Sequence, residues 1–504
     1  MRGHSFRLLF VFSVLISACT LTPDYERPAL DVPGEYPQQA ASGDVSQDEI
    51  QDEIQDEIQD EIPEEGQESK GESIANLPWW DVFHDRQLQG LIGAALAENK
   101  NISVAAARIA QASAQFTGVR ANQFPFFDVT GGAARGKQSQ FLVPGASTGN
   151  NFALMGNLSF ELDLWGKLSR ATESARADLL ATEAAYSSVT LSVVANVASG
   201  YMLLRDLDER LVISRSTVET RQHNLEIIQA RFDKGTVPEL DVNQAQTELA
   251  FAEVAVASFE RQVAQTENAL RILLGRNPGA IARGLAIQEQ QMLPDVPTGL
   301  PSELLQRRPD VVTAEQQLHA ETARIGVAEA LRYPSLSLTG SYGAISDDLS
   351  DLNDSSAESW GIAGNIFAPI LNWGQLKAQT DAQRARTEQA LNRYEATLQQ
   401  AFREVADALV AVRTFREENA AYGRQVVAAR NAARLSRARY DAGVVDFLEV
   451  LETERTLFSA QLNESSSTQQ ALNAVIQLYK SLGGGWTPPA TPPTGSSQGA
   501  ATSP

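Results

Sequence analysis

Two periodicities divide the chain. Phe152, Leu154, Leu158, Phe160 and Leu162 point one way while Ala153, Asn157, Ser159, Glu161 and Asp163 point the other, and a period of two is that of a β-strand. Leu336, Leu338 and Tyr342 likewise oppose Ser335, Ser337, Thr339 and Ser341, and Trp360, Ile362 and Ile366 oppose Ser359, Ala363 and Asn365. The pattern predicts four strands, near 124–136, 151–163, 334–344 and 358–368, each with one apolar and one small, polar face. Asp163 and Glu161 are both expected on the polar face.

Between the strand pairs the period changes to that of a helix. No proline falls from Lys167 to Phe232 or from Gln375 to Tyr440, and at 1.5 Å per residue each stretch would be about 100 Å long. Val194, Val197, Tyr201 and Leu204 are spaced 3, 4, 3, and Phe402, Val405, Leu409 and Val412 repeat that spacing, as in a coiled-coil seam. Each long helix meets a glycine turn, Gly235 or Gly443, and returns as Pro238–Leu274 or Val444–Leu482. The chain is therefore duplicated. Arg231-Phe-Asp-Lys-Gly aligns with Arg439-Tyr-Asp-Ala-Gly at an offset of 208, as do Leu164-Trp165-Gly166 with Asn372-Trp373-Gly374 and Leu274-Gly275 with Leu482-Gly483, while Phe124-Pro125 matches Tyr333-Pro334 at 209. A solenoid would need more and shorter repeats.

The N-terminus adds a different signal. Arg2 and Arg7 precede an apolar run from Leu8 to Ile16, broken only by Ser13, and then Ser17-Ala18-Cys19. This basic, apolar and small-residue order reads as a signal peptide too short to span a bilayer. Ile16-Ser17-Ala18-Cys19 resembles a bacterial lipobox, which makes Cys19 the expected acylated residue. No later stretch reads as apolar enough for a membrane helix, so spanning falls to the strands. The expected organisation is a signal peptide over 1–18, an acylated N-terminus and acidic linker over 19–78, repeats over 79–290 and 291–482, and a disordered tail over 483–504.

Composition removes several functions. The 504 residues carry a net charge of −22, which argues against wrapping nucleic acid. Much of that charge is local: Asp44 to Glu72 holds thirteen acids and one base, built on four copies of Gln-Asp-Glu-Ile, and reads as a solvated linker. One cysteine and four scattered histidines exclude a disulfide framework and offer no metal-ligand pair. No cofactor and no enzymatic activity are expected. Gly145-Ala-Ser147-Thr-Gly149 fits the spacing of a serine-hydrolase elbow, but that elbow needs a strand before it and a helix after, whereas an alternating segment follows here.

Strands of about ten residues with one apolar face suit a transmembrane barrel, which must close because lipid satisfies no backbone hydrogen bonds. Four strands cannot close alone. Two chains would give eight strands with a filled interior, three would give twelve with a lumen, and the small polar faces favour the trimer. A pair of hairpins on a soluble core, or a lipid-anchored structural stalk, is the competing reading.

Pro23-Asp-Tyr-Glu-Arg-Pro28, Trp79-Trp80 with Phe83 and Asp85, Glu161-Leu-Asp-Leu-Trp-Gly166, Leu300-Pro-Ser-Glu-Leu-Leu-Gln-Arg-Arg-Pro-Asp310, Tyr333-Pro-Ser-Leu-Ser-Leu-Thr-Gly340 and the two glycine-turn motifs come in this order. Together they resemble the outer-membrane factor lipoproteins of tripartite efflux systems, the TolC, OprM and NodT family. The resemblance implies an α+β membrane protein with a duplicated unit of strand pair plus long coiled-coil hairpins. It further implies a homotrimer in outer-membrane lipid, whose twelve-stranded barrel continues into a helical tunnel through the periplasm. The implied partners are a periplasmic membrane-fusion adaptor and an inner-membrane RND-type pump, with export of a protein by a type I system as the alternative. The chain would be a passive exit duct.

The resemblance also assigns residues. Leu448, Glu449, Glu452 and Arg455 match its periplasmic gate. Glu449, Glu452 and Arg455 are spaced i, i+3, i+6, which alone also fits a solvated face with a Glu–Arg pair. Threefold symmetry would gather six carboxylates around one axis and favour cations. Asp241 and Tyr440 match a closed-state link between hairpins, although Val445 stands where some members carry a basic partner.

Overall fold

The structure is a computed structural model that describes residues 24–28, 83–137, 139, 141, 144–145, 147–290 and 307–484. Cys19, the signal peptide, the Gln-Asp-Glu-Ile run, Trp79-Trp80 and the tail beyond 484 lie outside the described residues. The elements are α1 (Arg86–Glu98), α2 (Lys100–Ala121), β1 (Phe126–Lys137), β2 (Thr148–Leu162), α3 (Lys167–Asp233) and α4 (Glu239–Leu273). Then come α5 (Pro309–Ala330), β3 (Ser335–Ser346), β4 (Glu358–Phe367), α6 (Gln375–Asp441) and α7 (Phe447–Ser481). The duplication is visible in the lengths: α3 and α6 each have 67 residues, α4 and α7 each 35. The chain divides into two units, one of 1–30, 106–184 and 313–397, the other of 31–105, 185–312 and 398–504.

The first unit carries one antiparallel sheet in the order β1-β2-β3-β4. Its middle pair joins the two repeats, Leu158 facing Gly340 and Leu162 facing Leu336. Residues directly opposite one another share a face. Phe127, Leu158, Gly340 and Ile362 therefore line up across all four strands, as do Val129, Gly156, Tyr342 and Trp360. The opposite face runs through Asp128, Asn157, Ser341 and Gly361, where Asn157 donates to Asp128 at 2.8 Å. The apolar face lies open, Ile362 being 82% exposed and Trp360 69%. In this order β1 and β4 are the edges.

Two expectations are corrected here. Asp163 does not sit on the strand's polar face: β2 ends at Leu162, and the Asp163 carboxylate accepts from Leu168 N at 2.9 Å and Ser169 N at 2.8 Å. It satisfies free amides at the start of α3, where the helix dipole favours an anion. Nor is the chain without a later apolar stretch, since one 18-residue window of α3 is long and apolar enough to cross a bilayer. Half of that window is buried, so much of its apolarity is satisfied by packing. Ser147 leads directly into β2, so a strand rather than a helix comes immediately after it.

The Pro23–Pro28 motif acquires a role in this unit. Arg27 grips the buried Glu315 of α5 through two bonds of 2.7 and 2.5 Å, Asp24 pairs with Arg170 of α3 at 2.6 Å, and Tyr25 stacks on His319 at 4.6 Å. Strapping the chain to two helices within four residues orders an otherwise extended segment.

The second unit contains the main core. Val194, Val197, Tyr201 and Leu204 of α3 are buried with Val405 and Val412 of α6, Leu270 of α4 and Leu478 of α7, while Phe402 and Leu409 pack against them. The expected seam is thus the centre of the packing. Tyr201 donates to Asp85 at 2.9 Å and Asp85 caps α1, so its one buried hydroxyl ties two helices. Arg308, the described end of the Leu300–Asp310 motif, is buried and bonds Glu404 at 2.8 Å, Asp310 at 2.6 and 3.0 Å and the Ser481 carbonyl at 3.1 Å.

Candidate functional site

Both long helices end in the same turn. Gly235 and Gly443 take φ of +70° and +71°, a conformation that strains any residue with a Cβ. The amides of Gly235 and Thr236 return to Phe232 and Arg231 carbonyls at 2.7 and 3.0 Å, and those of Gly443 and Val444 to Tyr440 and Arg439 at 2.9 Å each. This closure brings the ends of α3 and α6 beside the starts of α4 and α7. Ile228, Val242, Ala245, Phe447, Val450 and Leu451 form a small core there, with Tyr440 against it.

The four residues matched to a gate lie on the first three turns of α7. Leu448 is exposed, 58% of its surface open. Glu449 bonds Arg439 at 2.8 Å, and Glu452 bonds Arg455 at 3.1 Å. Both acids therefore carry a basic partner from their own chain. Arg455 reaches further: its Nε donates to Glu248 of α4 at 3.1 Å, and its Nη2 also pairs with that carboxylate. This bond is the first cause of the raised Arg455 pKa.

Glu248 joins two hairpins. It is 6% exposed and faces not only Arg455 but Arg221 of α3, whose Nη1 lies 3.1 Å from its carboxylate and donates to its carbonyl at 2.5 Å. Burial pushes the Arg221 guanidinium below its ordinary value, while the charge of Glu248 pulls the other way. Rings of Phe251 and Phe458 flank that guanidinium at 5.9 and 5.4 Å. Beside it, Asn224 of α3 donates to Glu454 of α7 at 3.1 Å and accepts from Arg437 of α6 at 2.7 Å. Side chains of all four helices thus meet in one polar network.

Asp241 and Tyr440 are not joined by a hydrogen bond among the described residues. The Tyr440 hydroxyl is buried with no partner, its ring lies under Arg231 at 5.1 Å, and it tilts against Phe447 at 5.4 Å. Burial, then the nearby charge of Asp446, raises the Asp241 pKa.

Sequence reading missed Arg221, Asn224, Glu248, Arg437 and Glu454. Glu248 did leave a signal: Val242, Ala245, Leu249 and Ala252 form the buried stripe of α4, and Glu248 is the one charge buried with them. Its pairing left none, because Arg221 and Arg455 come from α3 and α7.

The outer membrane efflux protein profile matches residues 91–276 and 300–484. The chain belongs to the outer membrane efflux protein family. The two matched segments correspond to the two repeats of strands and hairpins. The chain is 34% identical over 482 residues to the toluene efflux pump outer membrane protein TtgC of Pseudomonas putida, covering 95% of each chain. It is 31% identical over 480 residues to the cation efflux system protein CusC of Escherichia coli, covering 95% of this chain and 98% of that one. The crystal structure of the Campylobacter jejuni CmeC outer membrane channel superposes with a TM-score of 0.81 at 26% identity, over 93% of this chain and 95% of that one. This family member is a non-enzymatic outer-membrane channel of a Gram-negative efflux pump.

Titration of the network gives one expected outcome. Burial raises the Glu454 pKa more than Arg437 and Arg221 lower it. A raised carboxyl pKa favours the folded state below its unfolded value, about 4.3, and that contribution is lost as pH rises through the folded value. Glu454→Gln keeps the acceptor for Asn224 and removes the titration. It should raise the melting temperature at pH 7 and leave it unchanged at pH 4, as followed by circular dichroism. An equal change at both pH values would refute the assignment.

Proposed function

We propose that three copies of this chain close a twelve-stranded barrel in the outer membrane, which continues into a periplasmic helical conduit gated at the glycine turns. The observation that carries this is the sheet of the first unit. Its apolar face is open to solvent along all four strands, and both edge strands await partners. Lipid demands an apolar surface and closed edges together. Leu448, Glu449, Glu452 and Arg455 form the constriction, and Glu248, bonded to both Arg221 and Arg455, holds the α6–α7 hairpin to the α3–α4 hairpin when closed. Asp241 and Tyr440, matched to a closed-state link, share no hydrogen bond in the arrangement described above.

The duct is passive, with energy supplied by an inner-membrane RND-type pump through a periplasmic adaptor docked at the turns. Acylation of Cys19 anchors the N-terminus in the outer membrane. The cargo is drugs or other small molecules; the toluene efflux relative supports a small cargo rather than an exported protein.

Purified protein in planar bilayers should conduct ions rarely, and Glu449→Ala with Glu452→Ala should change cation selectivity and open probability. It should also run as a trimer in unheated detergent gels. A monomer that never conducts, in wild type or variant, would overturn this reading.

A further inference from the structure

Part-way along the second unit, α3, α6 and α7 frame a cavity of about 490 Å³, within the ~300–1,000 Å³ range of small-molecule sites. Its lining includes the apolar Val212 of α3 and Leu457 of α7. It also includes three bases, Arg221 of α3 and Arg430 and Arg434 of α6, against the single carboxylate of Glu454. That sign is unexpected in a chain of net charge −22. Arg430 and Arg434 stand one helical turn apart, where like charges repel. Neither makes a hydrogen bond or ion pair among the described residues, although the charge of Arg430 acts on Glu464. Glu454 is already engaged by Asn224 at 3.1 Å. Arg221 lies in the wall, 3% exposed, its charge paired with Glu248 at 3.1 Å and its Nη2 buried without a hydrogen-bond partner.

We propose that this cavity binds a small amphiphile bearing one carboxylate. The Arg430 and Arg434 forks take the carboxylate, as planar guanidinium groups pair with planar carboxylates. The apolar body rests on Val212 and Leu457. Because α3 belongs to one hairpin and α6 and α7 to the other, a bound molecule favours the hairpin arrangement described above over any in which they separate. The site adjoins the gate network through Arg221, which pairs with Glu248 at 3.1 Å, but does not rest on the assignment of the gate.

The test uses the full chain in nanodiscs of phosphatidylcholine, free of detergent, titrated with 2-naphthoate by calorimetry. Saturable binding is expected, weakened at least about tenfold by Arg430→Gln with Arg434→Gln, since the carboxylate then loses its charge-assisted hydrogen bonds. The neutral isostere 2-naphthamide should bind wild type at least about tenfold more weakly. Leu457→Trp, which enlarges an apolar lining residue and keeps both arginines, should abolish binding. Absence of saturable binding, equal affinity for acid and amide, or undiminished binding to either variant would overturn the proposal.

Discussion

Replacing Glu248 by alanine should destabilise the helical unit by about 3–5 kcal/mol, the usual cost of removing one partner from a buried ion pair. The carboxylate is 6% exposed and lies between Arg221 and Arg455. Its loss leaves the Arg221 guanidinium, 3% exposed, without its counter-charge. Arg455 is half exposed and recovers hydration, so most of the penalty belongs to Arg221. Glu248→Gln, which keeps an acceptor, should cost less. Glu248→Met with Arg221→Met should recover much of the loss, because an apolar pair of similar volume avoids desolvating either charge. Thermal unfolding in detergent measures the series. A Glu248→Ala protein as stable as wild type would show that the network contributes no net stability. In bilayers Glu248→Ala should also raise open probability, because Arg455 then loses its bond across the hairpins.

Ile362→Arg should block membrane assembly. Ile362 is 82% exposed at the centre of the apolar face, opposite Gly340, and an arginine at the bilayer midplane on a barrel's lipid face costs about 2–4 kcal/mol. In the proposed trimer, three copies multiply that cost. Ala363 follows it on the polar face, beside Thr339, and Ala363→Arg should be tolerated. The amount of heat-modifiable protein in the outer-membrane fraction reads both. Equal tolerance of the two substitutions would mean that the apolar face meets something other than lipid.

The elements were legible because each follows a local rule. Strands alternate by geometry, and the long helices announce themselves by unbroken periodicity ending at a glycine with positive φ. The expected stretch from Lys167 to about Phe232 is α3, Lys167–Asp233, and the one from Gln375 to about Tyr440 is α6, Gln375–Asp441. The duplicated order added a second copy of each signal. Asp163 was misread for a reason of the same kind. Alternation has no marker for where it stops, and the carboxylate serves the next helix instead of the strand.

The site was legible only in part. Leu448, Glu449, Glu452 and Arg455 share one helix, so their spacing and family match sufficed to place them together. Arg439 as partner of Glu449, ten residues earlier across a turn, could not be read from helical spacing. Glu248 and Arg455 are 207 residues apart and Arg437 and Asn224 are 213.

Periodicity, duplication and turn chemistry are properties of neighbouring residues, and the linear order of this chain therefore specifies its strands, its hairpins, their repetition and their family. Which charges neutralise one another depends on how separate helices pack. A carboxylate on α4 becomes a buried counter-charge only when α3 and α7 close over it, since burial strengthens Coulombic coupling and penalises every unpaired charge. Folding thereby gives Glu449 and Glu452 each an arginine partner from the same chain.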